Sequence, residues 1–441
     1  MHGNSAELFA QTPPVKLFFK ASLPGAVSML ASALYQLLDG IFVGHYLGET
    51  AFAALNLAMP FVIINFALAD LIGVGASVPI AVNLGRGNKS EADNYFTCAT
   101  ALIIGSGALL GALLYALAPL LMRLMGAEGE FAALAADYLR VYALCSPLTT
   151  VIFAVDNFLR ICGYIRGSML LNLLMSALSA ALELLFLGVL GFGIWGAALA
   201  TCTGMLVCAV IAYVPFLRGR ALLKFVRPRF SGVMLREFIV CGSPNFLNNI
   251  AGRVTSIVMN AILVRLGGET AVSVYGILMY TEGFILPLLY GMCDSLQPAV
   301  GYNYGAQRLD RVRAIERCCF TAAAVVSLAS SAIVALFPEE ITRLFVADPA
   351  REVLDMAAGA LKIFSLTYIT RWFSFAAQSY MLAIEKPMPA SLISIATALV
   401  FPLLLIAALR PLGLAGIWLN FPLTSLLAGV LAVVVLKRAL R

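Results

Sequence analysis

The chain reads as an all-α membrane protein, twelve transmembrane helices in two six-helix lobes related by an axis along the membrane normal. Three observations predict this. Hydrophobic residues make up 61% and charged residues 12%, against about 25% charged in soluble domains, and the mean hydropathy is +0.95. Charge-free stretches such as 99–122 and 390–409 reach the roughly 20 residues that cross a bilayer as helix. Finally, Gly48-Glu49-Thr50-Ala51 returns as Gly268-Glu269-Thr270-Ala271, an offset of 220 (268 − 48). The same offset relates Pro24 to Pro244, Asn83 to Asn303, Gly85 to Gly305, Arg123 to Arg343, Leu124 to Leu344, Gly193 to Gly413 and Gly196 to Gly416. A fixed offset that keeps returning marks an internal duplication.

Apolar runs separated by charged or Gly/Pro-rich breaks define the elements. In the first half the spans are 16–43, 51–82, 93–120, 131–158, 168–190 and 193–217; in the second they are 238–265, 271–302, 316–337, 353–383, 389–409 and 412–436. The start of the chain is mixed and polar, without the short apolar core and small-residue cleavage site of a secretory signal, so the first helix is expected to stay. These spans divide the chain into an N-lobe at 1–217, a basic linker at 218–237 and a C-lobe at 238–441.

Charge placement orients the spans. One set of loops and both ends carry Lys16, Lys20, Arg86, Lys89, Arg160, Arg166, the basic stretch 218–236, Arg308, Arg311, Arg313, Arg317, Lys386, Lys437 and Arg438. The opposite loops hold Arg123, Arg265, Arg343, Arg351 and Arg410. The positive-inside rule then puts both termini and the linker in the cytoplasm of a multi-pass protein of the cell membrane. Six helices per half is an even number, so the second copy enters in the same direction as the first: a parallel repeat, as in transporters built of two like halves. The linker could rest on anionic lipid, although topology is the simpler reason for its charge.

Several chemistries are excluded. The only histidines are His2 and His45, too few for a zinc centre or a histidine-based catalytic cluster. The nine cysteines lie in or beside apolar segments with no C-x-x-C pair and read as packing residues. No enzyme, cofactor or nucleic-acid partner is expected.

Residues that break the repeat are where one half acquired a duty the other lacks. At the offset, Asp39 faces Met259, Asp70 faces Tyr290, Glu183 faces Leu403, Glu282 faces Val62 and Asp294 faces Val74. A charge at a helix centre costs about 2.5–3.5 kcal/mol on insertion scales and so faces a cavity or a partner. Asp39 follows Tyr35 and Gln36 by four and three residues, forming a polar stripe on one helix face, with Pro24 weakening the helix before it. Glu183 and Ser179 share a face of helix 5, and Thr201 and Thr203 add hydroxyls from helix 6. Carboxylates with hydroxyls suit a hard cation such as sodium, or a proton shared between acids. Hydrogen bonding between helices explains Ser179 and Thr203 equally well.

In the second half Tyr275, Met279 and Tyr290 surround Glu282 at −7, −3 and +8. An acid among rings and a thioether suits an organic cation, although such a stripe without its acid would read as core. Arg253 and Arg371 sit deep in apolar helices and could instead neutralise Glu282 or Asp294 as structural ion pairs. Asn245, Asn248, Asn249 and Gln297 line a cavity or cap helix ends.

The strings Leu38-Asp39-Gly40-Ile41-Phe42-Val43-Gly44-His45-Tyr46-Leu47-Gly48 and Gln297-Pro298-Ala299-Val300-Gly301-Tyr302-Asn303-Tyr304-Gly305-Ala306 resemble those of the multidrug and toxic compound extrusion (MATE) family, and the likeness spans the chain. The resemblance implies a monomeric exporter of amphipathic organic cations, driven by inward sodium or proton flow through alternating outward-open and inward-open states. It further implies a cation site at Asp39 and Thr201, with Glu183 in place of a family Asp and Ser179 in place of a family Asn. Sodium would be held by Asp39, Glu183 and Thr201. By the same resemblance Glu282 takes the place of a helix 8 acid that handles substrate, and Pro24 that of a proline associated with bending of helix 1. The substrate cavity is expected to involve Glu282, Met279, Tyr275, Tyr290, Gln36, Tyr35 and Asp294. A lipid-linked saccharide flippase of the same superfamily and, from another class, an intramembrane transferase are the competing readings. The central acids disfavour the first, and the lack of paired Asp-rich motifs or a catalytic His disfavours the second.

Overall fold

The computed structural model describes residues 5–125, 127–345 and 351–439, apart from a few side chains within helices. Gln36 is one of these, so its expected place in a substrate cavity lies outside the described residues. Every regular element among the described residues is helical. Among the described residues ten helices are long and apolar enough to cross a membrane, and Arg351–Ser365 with Thr367–Ala383 makes an eleventh span bent by 44°. One of the ten, Pro387–Ala439, has 53 residues, about 80 Å of helix at 1.5 Å per residue. That is more than twice a hydrocarbon core of about 30 Å. It turns back at Gly413, where φ is 65°, and therefore counts as two spans, which makes twelve.

The repeated Gly-Glu-Thr-Ala string has a conformational cause. Gly48 (φ 84°) and Gly268 (φ 61°) both take positive φ, a region open to glycine at little cost and closed to most residues. Each sits at a reversal between consecutive spans. Glu49–Gly85 begins directly after Gly48, and Gly268 interrupts the helical run Gly232–Asp294. Without that break 63 residues would run unbroken for about 95 Å. Pro24, by contrast, lies inside a helix that continues from Pro14 to Leu47.

The chain forms two compact units. One comprises Met1–Thr12, Val27–Gly242 and Gly301–Gln307, and the other Pro13–Ala26, Ser243–Val300 and Arg308–Arg441. Within the first, aromatic and small side chains interlock: Phe96 packs on Phe158 with ring centroids 5.1 Å apart and on Phe216 at 4.9 Å. A second cluster joins Val43, Ala54, Ala58, Tyr138, Tyr142 and Ala198. A short helix before the first span, Ser5–Gln11, was not expected from the sequence. Phe9 is buried, and its carbonyl accepts the Asn303 amide at 3.0 Å. In the other unit Phe364 lies edge-on to Tyr368 and Phe421, with centroids 5.5 and 5.1 Å away.

Candidate functional site

Four of the described spans bring polar groups together inside the first unit. Tyr35 and Asp39 are one turn apart on Pro14–Leu47, Ser179 and Glu183 one turn apart on Ile165–Glu183, and Thr201 lies on Ile194–Leu217. Tyr138 and Tyr142, also one turn apart, come from Gly129–Thr149. Residues four apart share a helix face, so each helix presents its pair to the same place. All seven are buried: Asp39 is 4% exposed and Glu183 0%.

The Tyr35 hydroxyl and Thr201 Oγ1 are 2.5 Å apart, and Tyr142 is within hydrogen-bonding reach of Thr201. The carboxyl groups of Asp39 and Glu183 are within the same reach of each other. Among the described residues, however, Asp39 Oδ1, both Glu183 oxygens and Ser179 Oγ are buried without a hydrogen-bond partner. Ionised carboxylates only accept, and an unpaired buried charge is costly. Three of the four carboxyl oxygens thus lack a donor among the described residues, an arrangement that a shared proton or a small metal ion would satisfy.

Local sequence explains the close approach. A Cβ on Gly204 would come within 2.2 Å of Ser179 Oγ, so the glycine allows its helix to pack directly on the serine side of its neighbour. Glu183 is the last α-helical residue before the wider π turn Leu184–Val189, and such turns are frequent at functional sites. Sequence reading singled out Asp39, Glu183, Ser179, Thr201 and Tyr35, and these come together; Tyr35 belongs to this cluster through its bond to Thr201. Thr203, expected beside them, is only half-buried. Gly204, Tyr138 and Tyr142 were missed. Two tyrosines one turn apart in an apolar span were the available signal.

The second-half candidates are arranged differently. Glu282 Oε1 lies 3.3 Å from Arg371 Nη2, with side chains 17% and 22% exposed, whereas Arg253 is exposed. Of the two arginines considered as partners, Arg371 takes that part. Tyr275 donates to Ser256 Oγ at 3.2 Å and is a core residue against which Met279 packs. Tyr290 meets the Phe375 ring at 4.2 Å, and the Asn248 side chain is within hydrogen-bonding reach of its hydroxyl. Asp294 Oδ1 accepts from Gln297 Nε2 at 2.8 Å and Ser379 Oγ at 3.1 Å. Asn249 donates back to the Asn245 carbonyl at 3.2 Å, a local bond within its own helix.

Comparison with known sequences decides the family. The profile of the MatE family matches this chain twice, at residues 24–185 and 244–407, with starts 220 apart (244 − 24), the offset of the internal repeat. The chain belongs to the MatE family. Among its relatives, the multidrug export protein MepA of Staphylococcus aureus is 26% identical over 405 residues, 90% of this chain and 88% of that protein. The protein of the same name from Staphylococcus saprophyticus is 25% identical over 416 residues, 93% and 90% of the two chains. A solved outward-facing conformation of a multidrug resistance MATE family transporter superposes with a TM-score of 0.92 at 24% identity, covering 99% of this chain and 98% of that one. That likeness shows the two-lobe, twelve-span MatE fold.

Proposed function

We propose that this MatE protein is a secondary active exporter that expels amphipathic organic cations in exchange for an inward proton or sodium ion. The observation that carries the reading is the buried carboxyl pair Asp39–Glu183, of which Asp39 Oδ1 and both Glu183 oxygens lack donors among the described residues. The incoming ion supplies what the pair lacks. Ser179 Oγ, also unpartnered, and Thr201 add hydroxyl oxygens, a donor set that suits sodium as well as a proton. The export of drugs by the MepA relatives supports the substrate class.

Binding at the acid pair would favour one of two alternating states and substrate binding the other, so ion entry and drug exit exclude each other. Pro24 is the hinge of the first helix in this scheme. Glu282 is the acid that meets the organic cation, exchanging Arg371 for it, while Tyr290, Met279, Tyr275 and Asp294 form or support the cavity. The driving force suffices. At one-to-one exchange of a monovalent cation for a proton the charge movements cancel, so one pH unit supplies about 1.4 kcal/mol, about a tenfold substrate gradient, and each further inward charge per cycle adds about 2.3 kcal/mol per 100 mV. The protein acts as a monomer in the cell membrane with both termini cytoplasmic.

The test is dye efflux from proteoliposomes under separately imposed proton and sodium gradients. Efflux driven by one of them, and lost on Asp39→Asn while the dye still binds, is the expected result; gradient-independent dye movement would overturn the reading.

A further inference from the structure

The basic segment between the sixth and seventh spans is a fixed structure rather than a slack connection. Although 221–231 has no regular secondary structure, side chains at the start of Lys89–Leu124 hold its backbone. The Lys224 amide donates to Asp93 Oδ1 at 2.9 Å, the Val226 amide to Thr97 Oγ1 at 3.1 Å and the Arg229 amide to Asn94 Oδ1 at 2.8 Å. Asn94 Nδ2 returns a bond to the Arg229 carbonyl at 3.0 Å, and the Tyr164 hydroxyl donates to the Arg220 carbonyl at 3.1 Å. The Phe225 ring leans on Phe96 with centroids 4.8 Å apart. Asp93 is itself paired with Lys89 at 2.9 Å, so its charge is engaged within the strap's own support.

What this strap presents outward is cationic and apolar at once. Arg218, Arg220, Lys224, Arg227, Arg229 and Arg236 are all exposed, none forms an ion pair among the described residues, and no acid lies between 218 and 236. Phe225 is 40% exposed, Phe230 52% and Val233 68%. The strap joins the spans Ile194–Leu217 and Gly232–Gly268 directly, which confines it to the level where hydrocarbon gives way to headgroups. At that level, basic side chains among apolar ones meet phosphodiester groups and the first methylenes of the acyl chains.

We propose that the 218–236 strap is a binding surface for anionic phospholipid headgroups, with Arg220, Arg227 and Arg229 gripping phosphate and Phe230 and Val233 seated among the acyl chains. A basic residue near an anionic lipid surface favours binding about fivefold per charge. The full chain in neutral detergent is titrated with phosphatidylglycerol or phosphatidylcholine, and bound lipid is counted by native mass spectrometry. Phosphatidylglycerol should be retained at least about fivefold better than phosphatidylcholine. The triple variant Arg220→Gln/Arg227→Gln/Arg229→Gln should lose that preference, its lysine counterpart should keep most of it, and Lys437→Gln/Arg438→Gln, which removes charge elsewhere, should leave it unchanged. Equal retention of the two lipids, an unaltered preference in the glutamine variant, or displacement of the lipid by an equal concentration of inorganic phosphate would each overturn the proposal. The readout is lipid binding, so it stands or falls separately from ion-driven export.

Discussion

Asp39 and Glu282 are both acids inside membrane helices that the other half of the repeat lacks, yet their surroundings are opposites. Asp39 lies within reach of a second acid, Glu183, and its Oδ1 has no hydrogen-bond partner among the described residues, whereas Glu282 lies against Arg371 at 3.3 Å. In the proposed exchange the first arrangement takes up a cation. The second is neutral already, so a cationic ligand can reach Glu282 only by competing with an arginine. An intramembrane acid is thus a sign of function whose meaning is set by its neighbour.

The largest expected effect comes from the acid pair itself. Asp39→Asn or Glu183→Gln should lower ion-driven efflux by about a hundredfold or more, the loss of a group acting directly in exchange. Thermal stability of the purified protein should hold or rise, because each change removes one of two facing charges. A clear fall in melting temperature with efflux intact would mean that the pair is structural and would erase the contrast with Glu282.

The ion pair should respond in the opposite sense. Arg371→Met strands Glu282 and should cost about 2 kcal/mol, less than a fully buried pair because both side chains are partly exposed. Adding Glu282→Gln should restore much of that, which a double-mutant cycle on thermal unfolding would read out. Additive losses would show that the two charges do not support each other.

A smaller effect is expected from packing. Gly204→Ala drives a methyl towards Ser179 Oγ, 2.2 Å from its ideal position, and should cost about 1–3 kcal/mol while weakening ion dependence. Ser179→Ala in the same chain removes that oxygen and leaves the contact at 3.3 Å, so stability should largely return. Smallest of all, Thr201→Val removes the partner of the Tyr35 hydroxyl and should cost about 1 kcal/mol, with a modest rise in the ion concentration needed for half-maximal efflux. No change in either quantity would detach Thr201 from the site.

Much of this was legible in the sequence because it depends on composition and recurrence. Charge-free runs mark spans by length alone, and the 220-residue offset pairs Gly48 with Gly268, whose shared positive φ the structure explains. Asp39 and Glu183 stood out because a charge in an apolar helix needs a reason. Gly204 carries no such mark: its part depends on a neighbouring helix passing within a side chain's width, and pattern along one helix does not encode that distance. The same holds for Tyr138 and Tyr142, which look like ordinary apolar-helix tyrosines until Asp39 is seen beside them. The choice of Arg371 over Arg253 for Glu282 likewise rests on which side of its helix each arginine occupies. The bend of 44° between Arg351–Ser365 and Thr367–Ala383 falls within a run that reads as one uninterrupted span, 353–383, in the sequence.

The reversals at Gly48 and Gly268 have a practical corollary. With a single backward-turning residue between consecutive helices, these corners offer no slack for a protease to thread or for an epitope tag to be inserted without unwinding a helix end. Reporter insertions for mapping sidedness belong instead at exposed positions such as Gln307 and Arg308, where helix Gln297–Gly305 has ended and Leu309–Leu336 has yet to begin.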